Sequence, residues 1–181
     1  MFRLRRPSDE ECERLLTDTA RADLSYPEVG ATRSGQLPSG YHHDRRSLTI
    51  GPASLFDAKA ESLLRWRAHL GAGVTVIPGD SITSSGSNHL ALIKLAVIWI
   101  VAPVRIVYLI EEPDRRGFAY GTLSGHPESG EEAFVIERHG DRTEFHITAF
   151  SKPANLLVRV GSPVSRAIQS ATTRRYLQAL K

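Results

Sequence analysis

Four stretches in the second half of the chain alternate apolar and polar residues with a period of two. They are VRIVYLI (104–110), GFAYGTL (117–123), EEAFVIER (131–138) and RTEFHITAF (142–150). A period of two sends neighbouring side chains to opposite faces of a strand, so each stretch has one apolar face. The links between them are short and polar, too short for a crossover, and they predict an antiparallel meander. With Arg105 turned outward, Val104, Ile106, Tyr108 and Ile110 point inward. Phe118 and Tyr120 share that face, as do Glu132, Phe134 and Ile136, then Phe145, Ile147 and Ala149. Glu131, Glu137, Glu144, His146 and Thr148 take the solvent side.

A sheet with one apolar face needs a cover. The C-terminal segment supplies one. Pro153 opens a short helix that ends at Gly161. Ser162 and Pro163 then form the N-cap and first position of a longer helix. Val164, Ile168, Ala171, Tyr176 and Leu180 make its apolar stripe, with Arg166 and Arg174 off it. The expected fold class is α+β, a curved antiparallel sheet wrapped around a long C-terminal helix.

The first half adds to this frame. Ser8 to Glu11 has the form of a capping box for a helix carrying Cys12, Leu15 and Leu16 and fading near Leu24. SYPEVGATRSGQLPSGY (25–41) reads as an irregular arm. HHDRRSLTIG (42–51) is a strand with Leu48 and Ile50 on one face. Ser54 caps a helix with Asp57 three residues on, and Phe56, Ala60, Leu63, Leu64, Trp66 and Leu70 form its stripe, closed by Gly71 and Gly73. VTVIP (74–78) is a strand. Trp66 and Trp99 read as core anchors.

Residues 89–110 are apolar enough to suggest a membrane span, but Lys94 and Arg105 divide them. A spanning helix needs about 20 uncharged residues. Two buried strands meeting near Ala102 and Pro103 fit better. The basic start, MFRLRRPSDEE, has no apolar run behind it, so a secretory signal is not expected and a cytoplasmic location is. A length of 181 residues fits a single domain, 1–181, with a helical extension over 1–23. The net charge of +3 is spread over short clusters, so no nucleic-acid partner is expected. One cysteine, Cys12, rules out an internal disulfide and a multi-cysteine zinc site; it reads as a buried, inert thiol.

Several segments together resemble one family. LSYPEVGATR (24–33), LPSGY (37–41), LLRWRAHLGAG (63–73), EEPDRRGFAYGTLSGHPESGEEAF (111–134), TAFSKPA (148–154) and TRRYLQAL (173–180) are similar to the domain-of-unknown-function family 1990, an uncharacterised bacterial and plant family. The segment GFAYGTLSGHPESGEEAF carries most of the specificity. KLAVIWIVAPV (94–104) is more apolar than the family leads one to expect. The family in turn resembles the START-like, birch-pollen-allergen-like (SRPBCC) superfamily. That resemblance implies a helix-grip domain over 24–181 with an apolar cavity between sheet and C-terminal helix. The superfamily spans lipid carriers, hormone receptors, cyclases and chaperone activators, so it implies no single reaction.

The best candidates for chemistry are Glu132 and His126. A histidine and a carboxylate within hydrogen-bond reach can shuttle a proton, and burial beside Phe134 would raise the Glu132 pKa. Tyr120 on the neighbouring strand could hydrogen-bond it. The plainer alternative is that Glu132 pins the loop. His42 and Asp44 offer at most two ligands on one face, too few for a metal site. No cofactor motif is present. The leading expectation is a cavity protein, more a binder than an enzyme. Its ligand is small, apolar or amphipathic, and is lined by Tyr108, Phe118, Tyr120, Glu132, Phe134 and Phe145. The alternatives are a cyclase-, dehydratase- or hydrolase-like enzyme using Glu132 and His126, or an interaction module docking through the arm 24–41.

Overall fold

The computed structural model describes residues 1–79, 83–154 and 162–181, with side chains from 171 onward in the last segment. Its elements run β1 (Phe2–Arg3), α1 (Asp9–Thr19), α2 (Ala31–Ser34), β2 (His42–Pro52), a 3-10 turn (Ala53–Leu55), α3 (Phe56–Leu64) and α4 (Arg67–Gly71). Then follow β3 (Val74–Ile77), β4 (Asn88–Leu95), β5 (Ile98–Glu112), β6 (Arg115–Thr122), β7 (Glu128–His139), β8 (Arg142–Pro153) and α5 (Ser162–Ala179). The strands form one antiparallel sheet in the order β2-β8-β7-β6-β5-β4-β3, with β1 alongside β5. The expected α+β class is present: a curved antiparallel sheet with a long C-terminal helix. The short helix expected from Pro153 to Gly161, and the stripe positions Val164 and Ile168, lie outside the described residues and side chains.

The meander closes through tight turns, Pro113-Asp114 between β5 and β6 and Gly140-Asp141 between β7 and β8. On the inner face, Phe118, Phe134, Ile136, Phe145 and Ile147 pack against Phe56, Ala60 and Leu63 of α3, Trp66, Tyr176 and Leu177 of α5, and Leu180 just beyond it. Helices α4 and α5 approach so closely that a methyl group on Gly71 would sit 2.6 Å from the Ala179 Cβ. Ala171 is exposed; among the described side chains Thr173, Tyr176 and Leu177 form the buried side of α5, continued by Leu180 just beyond it.

The outer face of the sheet is covered too, which a one-faced reading does not anticipate. The capping box of α1 forms as expected, with the Glu11 N–H donating to Ser8 Oγ and the Ser8 N–H to Glu11 Oε2. The helix sets Cys12, with Leu15 and Leu16 beside it, on Leu90, Leu92 and Val101. Burial raises the Cys12 pKa, as befits an inert thiol. Helix α1 ends at Thr19, before the expected Leu24. There Arg105 donates to the carbonyls of Thr19 (3.3 Å) and Ala20 (3.2 Å) and to Asn88 Oδ1 (2.8 Å).

Four expectations are corrected. The apolar region turns at Ala96-Val97, not at Ala102-Pro103. Pro103 lies within β5 opposite Leu90, and its carbonyl accepts from the Leu123 N–H. The helix begun near residue 54 is not capped by Ser54; it starts at Phe56 and breaks at Trp66, whose φ of 60° is left-handed. Such a backbone costs a bulky residue about 1–2 kcal/mol, and here it aims both Trp66 and His69 into the core. Trp99 is no core anchor on the inner face; it is half-buried beside the Cys12 cluster. Lastly, the register of β5 slips between Ile106 and Tyr108. Val104 and Ile106 stay on the inner face, whereas Tyr108 and Ile110 move to an outer cluster with Ala119, Ala133 and Val135. A bulge of one residue inverts everything beyond it.

Candidate functional site

Two adjacent carboxylates on β7 point to opposite faces of the sheet. Strand pairing places Glu131 opposite Gly121 of β6 and Phe150 of β8, and Glu132 opposite Tyr120 and Ala149.

Glu131 was expected in water and is 2% exposed. The arm 24–34 lies over it. Tyr26 Oη donates to Glu131 Oε2 at 2.7 Å, the Gly30 N–H to the same oxygen at 2.7 Å, and the Thr32 N–H to Oε1 at 3.0 Å. The Thr32 hydroxyl donates to Oε1 as well, and accepts from the Tyr108 hydroxyl at 2.7 Å. Gly30, at φ 84°, takes a left-handed turn open to glycine that aims its N–H at the carboxylate. Gly121 makes room on the sheet: a methyl group there would meet Tyr26 Cε1 and Leu24 Cδ2, each at 2.8 Å. Gly121→Ala is therefore expected to push Tyr26 off its partner and to cost about 1–3 kcal/mol. Urea unfolding would read this as a lower midpoint with an unchanged slope. Tyr108, expected in the ligand lining, belongs to this outer network. Burial raises its pKa to about 12.

Glu132 occupies the inner face and is half-buried. Tyr120 Oη donates to Glu132 Oε2 at 2.7 Å. Tyr176 of α5 interacts electrostatically with both. Burial pushes the Glu132 pKa up to about 7, with Glu128 and Asp44 adding to the rise and the Tyr120 hydrogen bond opposing it. Burial, followed by the Glu132 charge, also raises the phenol pKa values of Tyr120 and Tyr176. The charge of Asp44 is met by Arg46 at 2.8 Å.

Next to this trio lies His69, fully buried, with Trp66 (4.7 Å), Phe134 (4.7 Å) and Tyr176 (4.6 Å) as ring neighbours. Neither His69 ring nitrogen, nor the Trp66 indole nitrogen, has a hydrogen-bond partner among the described residues. Burial holds the His69 pKa down to about 3, so the ring is neutral. Buried polar atoms are nearly always paired, so three unpaired ones in one place are unusual.

The structure gathers Phe118, Tyr120, Glu132, Phe134 and Phe145 on the inner face. It does not bring in His126. The His126 Nδ1 lies 2.9 Å from the Glu128 main-chain N–H, within its own turn, and burial lowers its pKa to about 4. Among the described residues no hydrogen bond or ion pair joins it to Glu132. The expected His126–Glu132 proton pair is replaced by Glu132, Tyr120 and Tyr176. His42 and His43 are exposed at the start of β2, and the described residues contain no group of three or more candidate metal ligands.

Residues 25–179 match the family described as Domain of unknown function (DUF1990). The chain belongs to this family. Its relatives include a UPF0548 protein of Deinococcus radiodurans, 29% identical over 99% of this chain and 97% of that one. A second, from Arabidopsis thaliana, is 27% identical over 97% and 93%. Among solved structures, a hypothetical protein from Helicobacter pylori superposes with a TM-score of 0.56 at 10% identity, over 87% of this chain and 94% of that one. A ginseng major latex-like protein superposes with a TM-score of 0.51 at 14% identity, over 78% and 98%. These likenesses concern the fold, which is the helix-grip arrangement. In this DUF1990 chain two of the segments that carry the resemblance, 24–33 and 111–134, meet at Glu131. Glu131 is thus half of a clasp that ties the arm to the sheet. No helix among the described residues is long and apolar enough to cross a membrane.

Proposed function

We propose that this DUF1990 protein binds a small apolar or amphipathic ligand on the inner face of the sheet, with Glu132 and Tyr120 holding its polar end. The observation that carries this reading is the state of Glu132. Its carboxylate lies among aromatic side chains, yet Tyr120 is its one hydrogen-bond partner among the described residues. An under-paired, half-buried acid among aromatic rings suits a ligand group that completes its hydrogen bonds. The unpaired nitrogens of His69 and Trp66 support the same reading. Phe118, Phe134 and Phe145 supply apolar surface for the ligand body. We place the protein in the cytoplasm, as one domain over 1–181.

Native mass spectrometry of the purified protein, followed by a lipid and fluorophore screen, tests this. A ligand found in this way is expected to bind Tyr120→Phe at least about tenfold more weakly, one charge-assisted hydrogen bond being worth about 1.5–3 kcal/mol. Absence of any ligand uptake, or equal affinity in the variant, contradicts it.

One observation favours a second, catalytic reading. A carboxyl group that titrates near pH 7 beside a phenol is suited to general acid–base chemistry. On that reading Glu132→Gln abolishes turnover while the fold is kept.

A further inference from the structure

The end of the β4–β5 hairpin carries apolar side chains that nothing in the described fold covers. Leu4 is 87% exposed, Val97 80% and Phe2 56%. Sheet register shows how they are arranged. Phe2 pairs with Ile100, which pairs with Ile93; Leu95 pairs with Ile98. These residues share one face of the finger, and Val97 sits at its turn. The opposite face reads Arg3, Trp99, Lys94 in a single cross-strand row, so Trp99 stands between two cationic residues in register. Arg6 is exposed nearby along the chain. Arg5 is held by Glu11 at 2.9 Å, whereas Arg3, Arg6 and Lys94 enter no ion pair among the described residues. Residues 1–8 and 88–110 contain no Asp or Glu at all.

We propose that this tip, with Phe2, Leu4 and Val97 as its apolar prongs and Arg3, Arg6 and Lys94 as its cationic flank, docks onto an anionic lipid surface. Three features select that partner. Apolar prongs flanked by cations gain from burial in the acyl boundary and from attraction to acidic headgroups together. Trp99 packs partly beside the Cys12 cluster, and the part of its ring left exposed beside these cations is suited to the headgroup level, where Trp is enriched. A hairpin turn projects, and a projecting tip offers a rigid protein partner far less than the roughly 1,200 Å² that a stable interface buries; lipid deforms around it. A second copy of the chain would have to set Arg3 and Lys94 against their own equivalents, which repel.

Sedimentation of the full-length protein with vesicles tests the proposal, using phosphatidylcholine alone and phosphatidylcholine with about 30% phosphatidylserine. Binding is expected to the mixed vesicles, weakly or not at all to the neutral ones, and to fall with added salt. Lys94→Glu is expected to reduce binding about tenfold or more, since each charge near such a surface is worth about fivefold. Val97→Asp is expected to reduce it at least about tenfold by removing the inserted side chain. Because Val97 is so exposed, its melting temperature should match the parent's, so a loss of binding is not a loss of fold. If the parent ignores mixed vesicles, or if Val97→Asp binds as well as the parent, the proposal is overturned. It is equally overturned if sedimentation velocity shows a self-associated parent that Val97→Asp makes monomeric, for the tip is then a contact between copies.

Discussion

Replacing Glu131 by alanine is expected to destabilise the protein by about 3–5 kcal/mol, since several neutral donors lose their acceptor together and each one left unpaired in the interior costs about 1–3 kcal/mol. Four donors converge on this carboxylate: the Tyr26 hydroxyl, the Gly30 and Thr32 main-chain N–H groups and the Thr32 hydroxyl. Each loses its acceptor, the Tyr26 and Thr32 donors in buried positions, and the Tyr108 hydroxyl loses the order that Thr32 gives it. For a domain of this length the loss corresponds to a drop of roughly 6–20 °C in melting temperature. Glu131→Gln should lose almost as much, because its amide NH₂ turns donors against donors. The loss should also be local. Amide exchange in residues 25–34 should accelerate before exchange in β7 and β8, since the arm is held by Glu131 and by Tyr26 and Tyr41 against Phe150. A Glu131→Ala protein with parental stability and slow exchange in the arm would mean that the clasp contributes nothing.

The neighbouring residue is expected to behave oppositely. Glu132→Gln should stabilise the ligand-free protein at pH 8 by about 2–3 kcal/mol. The sign follows from the raised pKa, about 7 against an ordinary 4.5. Below pH 4.5 both folded and unfolded chains hold the proton, and the acid costs nothing. Between pH 4.5 and 7 the unfolded chain releases it while the folded chain keeps it, so stability falls as pH rises. Above 7 both are ionised and the penalty is constant. A pKa difference of this size is worth about 3 kcal/mol at most, and the partial accessibility of Glu132 trims it. Glutamine keeps an acceptor for Tyr120 and removes the charge. The stability difference between variant and parent should therefore shrink to under about 1 kcal/mol at pH 5. A variant that is destabilised at both pH values would show that the ionised carboxylate is a structural anchor.

The contrast between Glu131 and Glu132 shows what was legible in the sequence. Period-two alternation separated the two carboxylates onto opposite faces, and the inward set Phe118, Tyr120, Glu132, Phe134 and Phe145 followed from it directly. Alternation says which face a residue takes, however, not whether that face is wet. The arm that covers Glu131 lies about 100 residues earlier in the chain, and its glycine and proline content marked it only as irregular. The signal for the clasp was present as the pairing of a Tyr-x-x-x-Gly-x-Thr stretch with a buried acid, but single-strand periodicity cannot express a contact at that range.

Tyr108 was misplaced for a different reason. A bulge inserts one residue without any residue type that announces it, and Val107 looks like its neighbours. The Ala96-Val97 turn was missed likewise. Ala96 adopts a φ of 49°, which a glycine or asparagine would have signalled, so Pro103 offered the only visible break. His69 and Tyr176 entered the site because Trp66 breaks the helix there and α5 packs against α4, both consequences of tertiary packing. His126 was assigned to Glu132 by proximity in sequence. In the fold its ring is engaged two residues along, at Glu128.

The central claim is that the inner face around Glu132, Tyr120 and Tyr176 is a ligand site. Its most direct test is a residue-resolved NMR titration of the protein with a ligand from the screen, following the Glu132 carboxyl and the Tyr120 and Tyr176 rings. Saturable shifts are expected at all three, together with a moved Glu132 titration midpoint. Shifts confined to other surfaces, with Glu132, Tyr120 and Tyr176 unmoved at saturation, would contradict it.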